Sequence, residues 1–112
     1  MKLSPKNISH ISKKILLDDY RMILEINVTE NDGVDWTTNE CNFNIYCVDQ
    51  DYNILWQVRE TKSKPVSIFG ETDTFCYLGK DANGEIIADR FSGFTYKINP
   101  DTGEATRTGF HK

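Results

Sequence analysis

No lysine or arginine occurs between Arg21 and Arg59, although that stretch holds seven carboxylates: Glu25, Glu30, Asp32, Asp35, Glu40, Asp49 and Asp51. Outside it, thirteen Lys and Arg meet ten acids, so a charge of +3 faces one of −7 within the same chain, and the overall −4 conceals the asymmetry. Such a distribution excludes the dense basic stripe that nucleic-acid binding requires, because Lys13, Lys14, Lys62, Lys64, Arg90 and Arg107 are dispersed among acids. Long apolar runs are also missing. None approaches the ~20 residues of a membrane-spanning helix, and Ile15-Leu16-Leu17 is too short for a signal-peptide core, which predicts a soluble, cytoplasmic protein with no membrane partner.

Cysteine is scarce and unpaired in pattern. Cys41, Cys47 and Cys76 form neither a disulfide framework nor a CxxC metal pair, in keeping with a reducing compartment. Cys41 and Cys47 lie six apart and on a strand would share a face with Phe43 and Ile45 as buried thiols. Gly-x-Ser-x-Gly, a phosphate-binding glycine loop and His-Glu-x-x-His are all absent, so no catalytic residue, cofactor or metal is expected.

What is present is period-two patterning. Tyr20, Met22, Leu24, Ile26 and Val28 alternate with Arg21, Glu25, Asn27 and Thr29, the pattern of a half-buried strand. Residues 8–16 read as a preceding strand, joined by a turn at Leu17-Asp18-Asp19, with a short N-terminal helix over 8–17 as the alternative. Residues 30–40 are polar and read as an exposed loop before a second hairpin, 41–49 with 53–60. The charged, Pro65-containing stretch 60–67 reads as a hinge between two halves of one domain, 1–112. Strands at 74–80, 85–91, 93–99 and 104–110 follow, separated by Asp81-Ala82-Asn83-Gly84, Ser92-Gly93 and Pro100-Asp101-Thr102-Gly103, where Gly and Asn tolerate positive φ.

A weak repeat runs through these hairpins: Tyr46, Tyr77 and Tyr96 each stand seven residues before a turn residue, Asn53, Gly84 and Gly103. The strings YCVDQDYNILWQV and YKINPDTGEA resemble hairpins of β-propeller blades. Two such units cannot close a ring, which takes at least about four blades. The expectation is an all-β antiparallel meander of about eight strands in two blade-like sheets, packed as a sandwich.

Three constellations could carry function. Asp49-Gln50-Asp51-Tyr52-Asn53 with Glu60 matches oxygen positions of a calcium loop, but Ile54 replaces the glycine that the bend needs, so an ordinary hairpin turn is expected. His10 and His111, with Lys14, supply the groups of a metal-free ribonuclease, although an acidic chain repels RNA. The third is the acidic segment itself. A loop bearing Glu30, Asp32, Asp35 and Glu40 around Trp36, beside a turn bearing Asp49, Asp51 and Tyr52, combines an aromatic anchor with a rim of one charge sign, as interfaces do.

A short, acidic, Ile-, Asn- and Lys-rich chain without catalytic motifs resembles the small immunity proteins of contact-dependent growth inhibition and related polymorphic toxin systems. The resemblance implies a non-enzymatic inhibitor whose partner is a cognate toxin, often a basic nuclease, with its active-site cleft covered. A propeller-like interaction module with exposed edge strands that pair between copies is the other non-enzymatic expectation.

Overall fold

The computed structural model describes residues 1–18, 20–29, 33–60 and 73–110. They form an all-β architecture of nine strands and two short helices, with the strands in two packed sheets. The chain opens with α1 (Pro5–Ile8), started by the Ser4 hydroxyl accepting from the Asn7 N–H and by proline in the first turn. Strands β1 (Ile11–Leu16) and β2 (Arg21–Ile26) follow as a hairpin, then α2 (Thr38–Asn42), β3 (Ile45–Asp49) and β4 (Ile54–Gln57). The second half contributes β5 (Arg59–Glu60), β6 (Phe75–Lys80), β7 (Ile86–Arg90), β8 (Phe94–Ile98) and β9 (Glu104–Phe110).

Sheet one has the order β1-β2-β3-β4, antiparallel throughout. Sheet two has the order β5-β9-β8-β7-β6, a meander except that β5 runs parallel to β9. The crossing between sheets falls on one residue: the Val58 N–H bonds Ile45 in sheet one, and the Arg59 N–H bonds Gly103 in sheet two. Glu60, placed at the start of an expected hinge, is instead part of β5, while the remainder of that hinge lies outside the described residues.

The strand expected over 8–16 is present as Ile11–Leu16, and the short helix is Pro5–Ile8 rather than 8–17, because Ser4-Pro5 starts it and Ile11 onward pairs with β2. One local expectation is corrected. The third strand begins at Ile45 rather than Cys41, because Thr37 and Glu40 form a reciprocal capping box that winds residues 38–42 into a helix. Cys41 is therefore a half-buried helix residue and shares no strand face with Cys47.

Sheet one is buried on both faces. Ile15, Ile23, Ile45 and Cys47 face sheet two and meet Phe75, Leu78, Ile86, Ala88, Tyr96, Ile98 and Ala105. On the other face, Leu24, Ile26, Tyr46 and Val48 are covered by Leu3, Ile8, Trp36 and Tyr52. Each fully buried Ile or Leu contributes about 1.5–3 kcal/mol, which makes the N-terminal segment a third layer rather than a tail. A bridge from Lys2 to Asn53 fastens that layer to the edge of β4. Among the described residues no helix is long and apolar enough to cross a membrane.

Two side chains stitch the sheets together. Trp56 donates its Nε1–H to the Pro100 carbonyl (2.9 Å), and its ring lies so close to Gly103 that a Cβ there would approach it to 2.6 Å. Gly103 also has φ +80°, so both its conformation and its lack of a side chain are required. Asn44, buried, donates to the Ile26 and Phe75 carbonyls and accepts from the Phe75 N–H, acting as a short substitute for a neighbouring strand. Asn44→Ala removes all three bonds and leaves Phe75 with an unpaired buried N–H. It should lower the unfolding free energy by about 2–4 kcal/mol in a urea titration with an unchanged m-value.

Candidate functional site

The outer face of sheet one is where the two aromatic residues singled out above, Trp36 and Tyr52, meet. Glu30 and Asp32 lie outside the described residues. Trp36 and Tyr52 pack against the same cluster of Leu3, Leu24, Ile26, Tyr46 and Val48, so the polar loop and the β3–β4 turn reach one face. Trp36 is half-buried, met edge-on by the His10 ring (centroids 5.1 Å apart) and by Lys6 Nζ at 4.7 Å from its centroid. Its own Nε1–H is buried and bonds nothing among the described residues. Asp35 and Asp51 are exposed.

The remaining acids of the site have local duties. Glu40 completes the capping box of α2 and also accepts from Lys6 Nζ at 2.9 Å. Burial pushes its carboxyl up, but the Thr37 N–H and the Lys6 ammonium outweigh this and hold it below its ordinary value. Asp49 ties the β3–β4 turn: Oδ1 accepts from the Asp51 and Asn53 N–H groups, and Oδ2 accepts from the Asn53 side chain. Those oxygens belong to a turn in which Tyr52 takes φ +63°, and Ile54, at the glycine position of the calcium pattern, begins β4. The same device recurs, with Asp18 accepting from Tyr20, Asp81 from Asn83 and Asn99 from Asp101.

Of the ribonuclease pair, His111 lies outside the described residues. His10 sits at the end of α1, with Nδ1 2.7 Å from the Lys6 carbonyl and 3.0 Å from the Ser9 hydroxyl, and belongs to the layer over Trp36.

Two groupings were missed in the sequence. The first is a buried ion cluster. Arg90 is 1 % exposed, yet its Nε lies 3.2 Å from both Glu60 Oε1 and the Tyr96 hydroxyl, and its Nη1 donates to the carbonyls of Asn42 (2.7 Å) and Asp73. Tyr96 passes its hydroxyl proton toward Glu60 Oε1 (2.9 Å) and accepts from Arg107 Nη2 (3.2 Å), while Phe75 lies 4.1 Å beneath the Arg90 guanidinium. Asp73 in turn accepts from the Ser92 hydroxyl (2.6 Å) and N–H. The second grouping surrounds Glu25 on the inner face of β2. An Arg at 90 and a Glu at 25 both occupy positions that alternation allots to either face, so only the pairing of the sheets shows which.

The acid-side behaviour follows from the turn carboxylates. Asp49 is held below its ordinary value of 3.8, first by the Asn53 side chain, then by backbone N–H groups. A carboxyl with a depressed folded-state pKa stabilises above its unfolded value and loses that contribution as pH falls through the folded one. Asp49→Asn should therefore flatten the fall of Tm below pH 4, relative to the unaltered protein. Independently, Arg90→Met leaves Glu60 buried without its main counter-ion and should cost about 3–5 kcal/mol in urea unfolding, part of it recovered by adding Glu60→Gln.

No curated protein and no solved structure matches the chain. The model of one family, described as Domain of unknown function (DUF7957), matches residues 28–110, from just after β2 to the end of β9, and the chain belongs to that family.

Proposed function

We propose that the protein is an immunity protein that binds and neutralises a cognate toxin, a basic nuclease, by covering its cationic cleft with the layer that lies over the outer face of sheet one. The observation that carries this reading is the convergence of Trp36 and Tyr52 on one apolar cluster, with exposed Asp35 and Asp51 beside them in sequence. An interface of this kind needs an aromatic centre and carboxylates at its margin. Trp36 suits the central role, because it is half-exposed and held by cation–π and edge contacts rather than by a hydrogen bond to its indole N–H. The carboxylates steer a basic partner by long-range attraction, and the aromatic ring holds it once water is expelled. Lys6 and the neighbouring Lys2 temper the field, so the attraction centres on Asp35 and Asp51 rather than on Glu40 and Asp49.

The test begins with the neighbouring reading frame: a large protein ending in a short basic toxin domain is expected there, and that domain is co-expressed with this chain and taken to kinetics on the purified pair, whereas a neighbourhood without one counts against the reading. The protein should restore growth. Asp35→Lys with Asp51→Lys should slow association roughly tenfold at low salt and flatten its salt dependence. Trp36→Ala should mainly speed dissociation, by about 2 kcal/mol or more of lost affinity. Unaltered association and dissociation in both variants would sink the assignment of the face.

A further inference from the structure

Two strands that carry irregularities meet at one place. In β1, Ile11 pairs with Ile26 and Lys13 with Glu25, so Ser12 is an extra residue in a bulge. In β6, Phe75 pairs with Arg90 and Tyr77 with Asp89, so Cys76 is likewise extra. Each strand lies at the edge of its sheet, and both extra residues line a single cavity of about 230 Å³ between the sheets. Bulges re-aim side chains and collect beside functional sites. Here the side chain between them is Glu25, 8 % exposed, which also lines the cavity.

The hydrogen bonding of Glu25 is half complete. Oε1 accepts from the Ser12 hydroxyl at 2.9 Å, and the same hydroxyl reaches the Glu25 carbonyl at 3.2 Å. Oε2 is buried and accepts no hydrogen bond among the described residues. Burial pushes the Glu25 carboxyl above its ordinary value, opposed by Ser12 and by the charge of Lys13 across the strand pair. Structural buried carboxylates are normally fully bonded, as Glu60 and Asp73 are tied into this same fold. The space beside Glu25 far exceeds the ~30 Å³ share of one water and falls below the ~300 Å³ of a pocket for a drug-sized molecule. It suits one short cationic group.

We propose that this cavity is a binding site for an alkylammonium or guanidinium group, with Glu25 Oε2 as the acceptor and counter-ion and Ser12 as the residue that positions the carboxylate. Phe75 offers apolar surface for the methylenes, and Thr74 and Asn27 offer polar atoms at the lining. The site is independent of the outer face, because Glu25 and Ile23 lie on the opposite side of β2 from Leu24 and Ile26. It stands or falls without regard to toxin binding.

The test uses the full chain, labelled with ¹⁵N and titrated at constant ionic strength with n-butylammonium and n-butylguanidinium chlorides. Saturable amide shifts centred on Ser12, Glu25 and Cys76 are expected, with Kd of about 1–10 mM for ligands this small. Glu25→Gln keeps the shape and an acceptor for Ser12, so it should retain Tm while weakening binding at least tenfold. Ser12→Ala should weaken it several-fold, and Asp35→Asn should leave it unchanged. Spermidine and Nα-acetylarginine N-methylamide then separate a free amine from a side chain presented by a partner protein, the tighter binder naming the source. Shifts that never saturate, or that are the same in Glu25→Gln, would overturn the proposal.

Discussion

The guanidinium of Arg90 is the point through which α2, the residues before β6 and the β5 crossing are joined to sheet two. It reaches from β7 to Glu60 of β5, to Tyr96 of β8, to the carbonyl that ends α2, and to Asp73 before β6. Lysine could not replace it, because a single ammonium lacks the planar fork of donors and the flat face that lies over Phe75. Burying this charge gives back little net stability, since desolvation opposes the Coulomb attraction of the pair. Its effect is on uniqueness: without the β5–β9 pairing that brings Glu60 to it, Arg90 would be left without its main counter-ion in an apolar core. The parallel pairing of β5 with β9, an oddity in an otherwise antiparallel fold, brings Glu60 to that point.

Much of this fold was legible because the strands of sheet two keep period-two alternation and end in turns whose chemistry is local. Strand β9 and the Asp81–Gly84 turn are cases where pattern and structure coincide. Helix α2 was not legible, even though Thr37 and Glu40 have the spacing of a capping box, because five residues are too few to show a helical period. Sheet one misled in another way. Its β2 reads as half-buried when only Leu24 and Ile26 are followed, whereas Ile23 and Glu25 are buried on the opposite face. A third layer from the N-terminus makes both faces interior, and nothing local in residues 1–10 announces that they will cover a distant strand.

The charge asymmetry that dominates the linear sequence is partly erased in three dimensions. Lys6, well before the basic-free stretch in sequence, reaches α2 and pairs with Glu40, while Lys2 sits near Asp49. Four hairpins also draw on Asp or Asn side chains to bond their own turns, so Asp18, Asp49 and Asp81 answer to backbone geometry before any partner. Of the six candidate residues within the described segments, Glu40 and Asp49 are committed to a cap and a turn, which leaves Asp35, Trp36, Asp51 and Tyr52. Burial of part of Trp36 agrees with its hydrophobicity, and its loop position alone could not show which way the ring would turn.

Buried charge occurs twice between the sheets, and the two instances differ in a way that bears on function. Arg90 and Glu60 meet each other, a phenol and two carbonyls, and Arg90 Nη2, which makes no hydrogen bond among the described residues, still lies 3.1 Å from Glu60 Oε1, so each charge has its counter-ion within the chain. Glu25 meets one hydroxyl, is flanked by two edge-strand bulges and opens on a cavity that those bulges border. Local rules of packing are broken in both places, but only the first repairs the breach from within the chain. A carboxylate left half-bonded beside open space is what a chain presents when the missing donor arrives from outside, and the sign of the charge sets the sign of that donor.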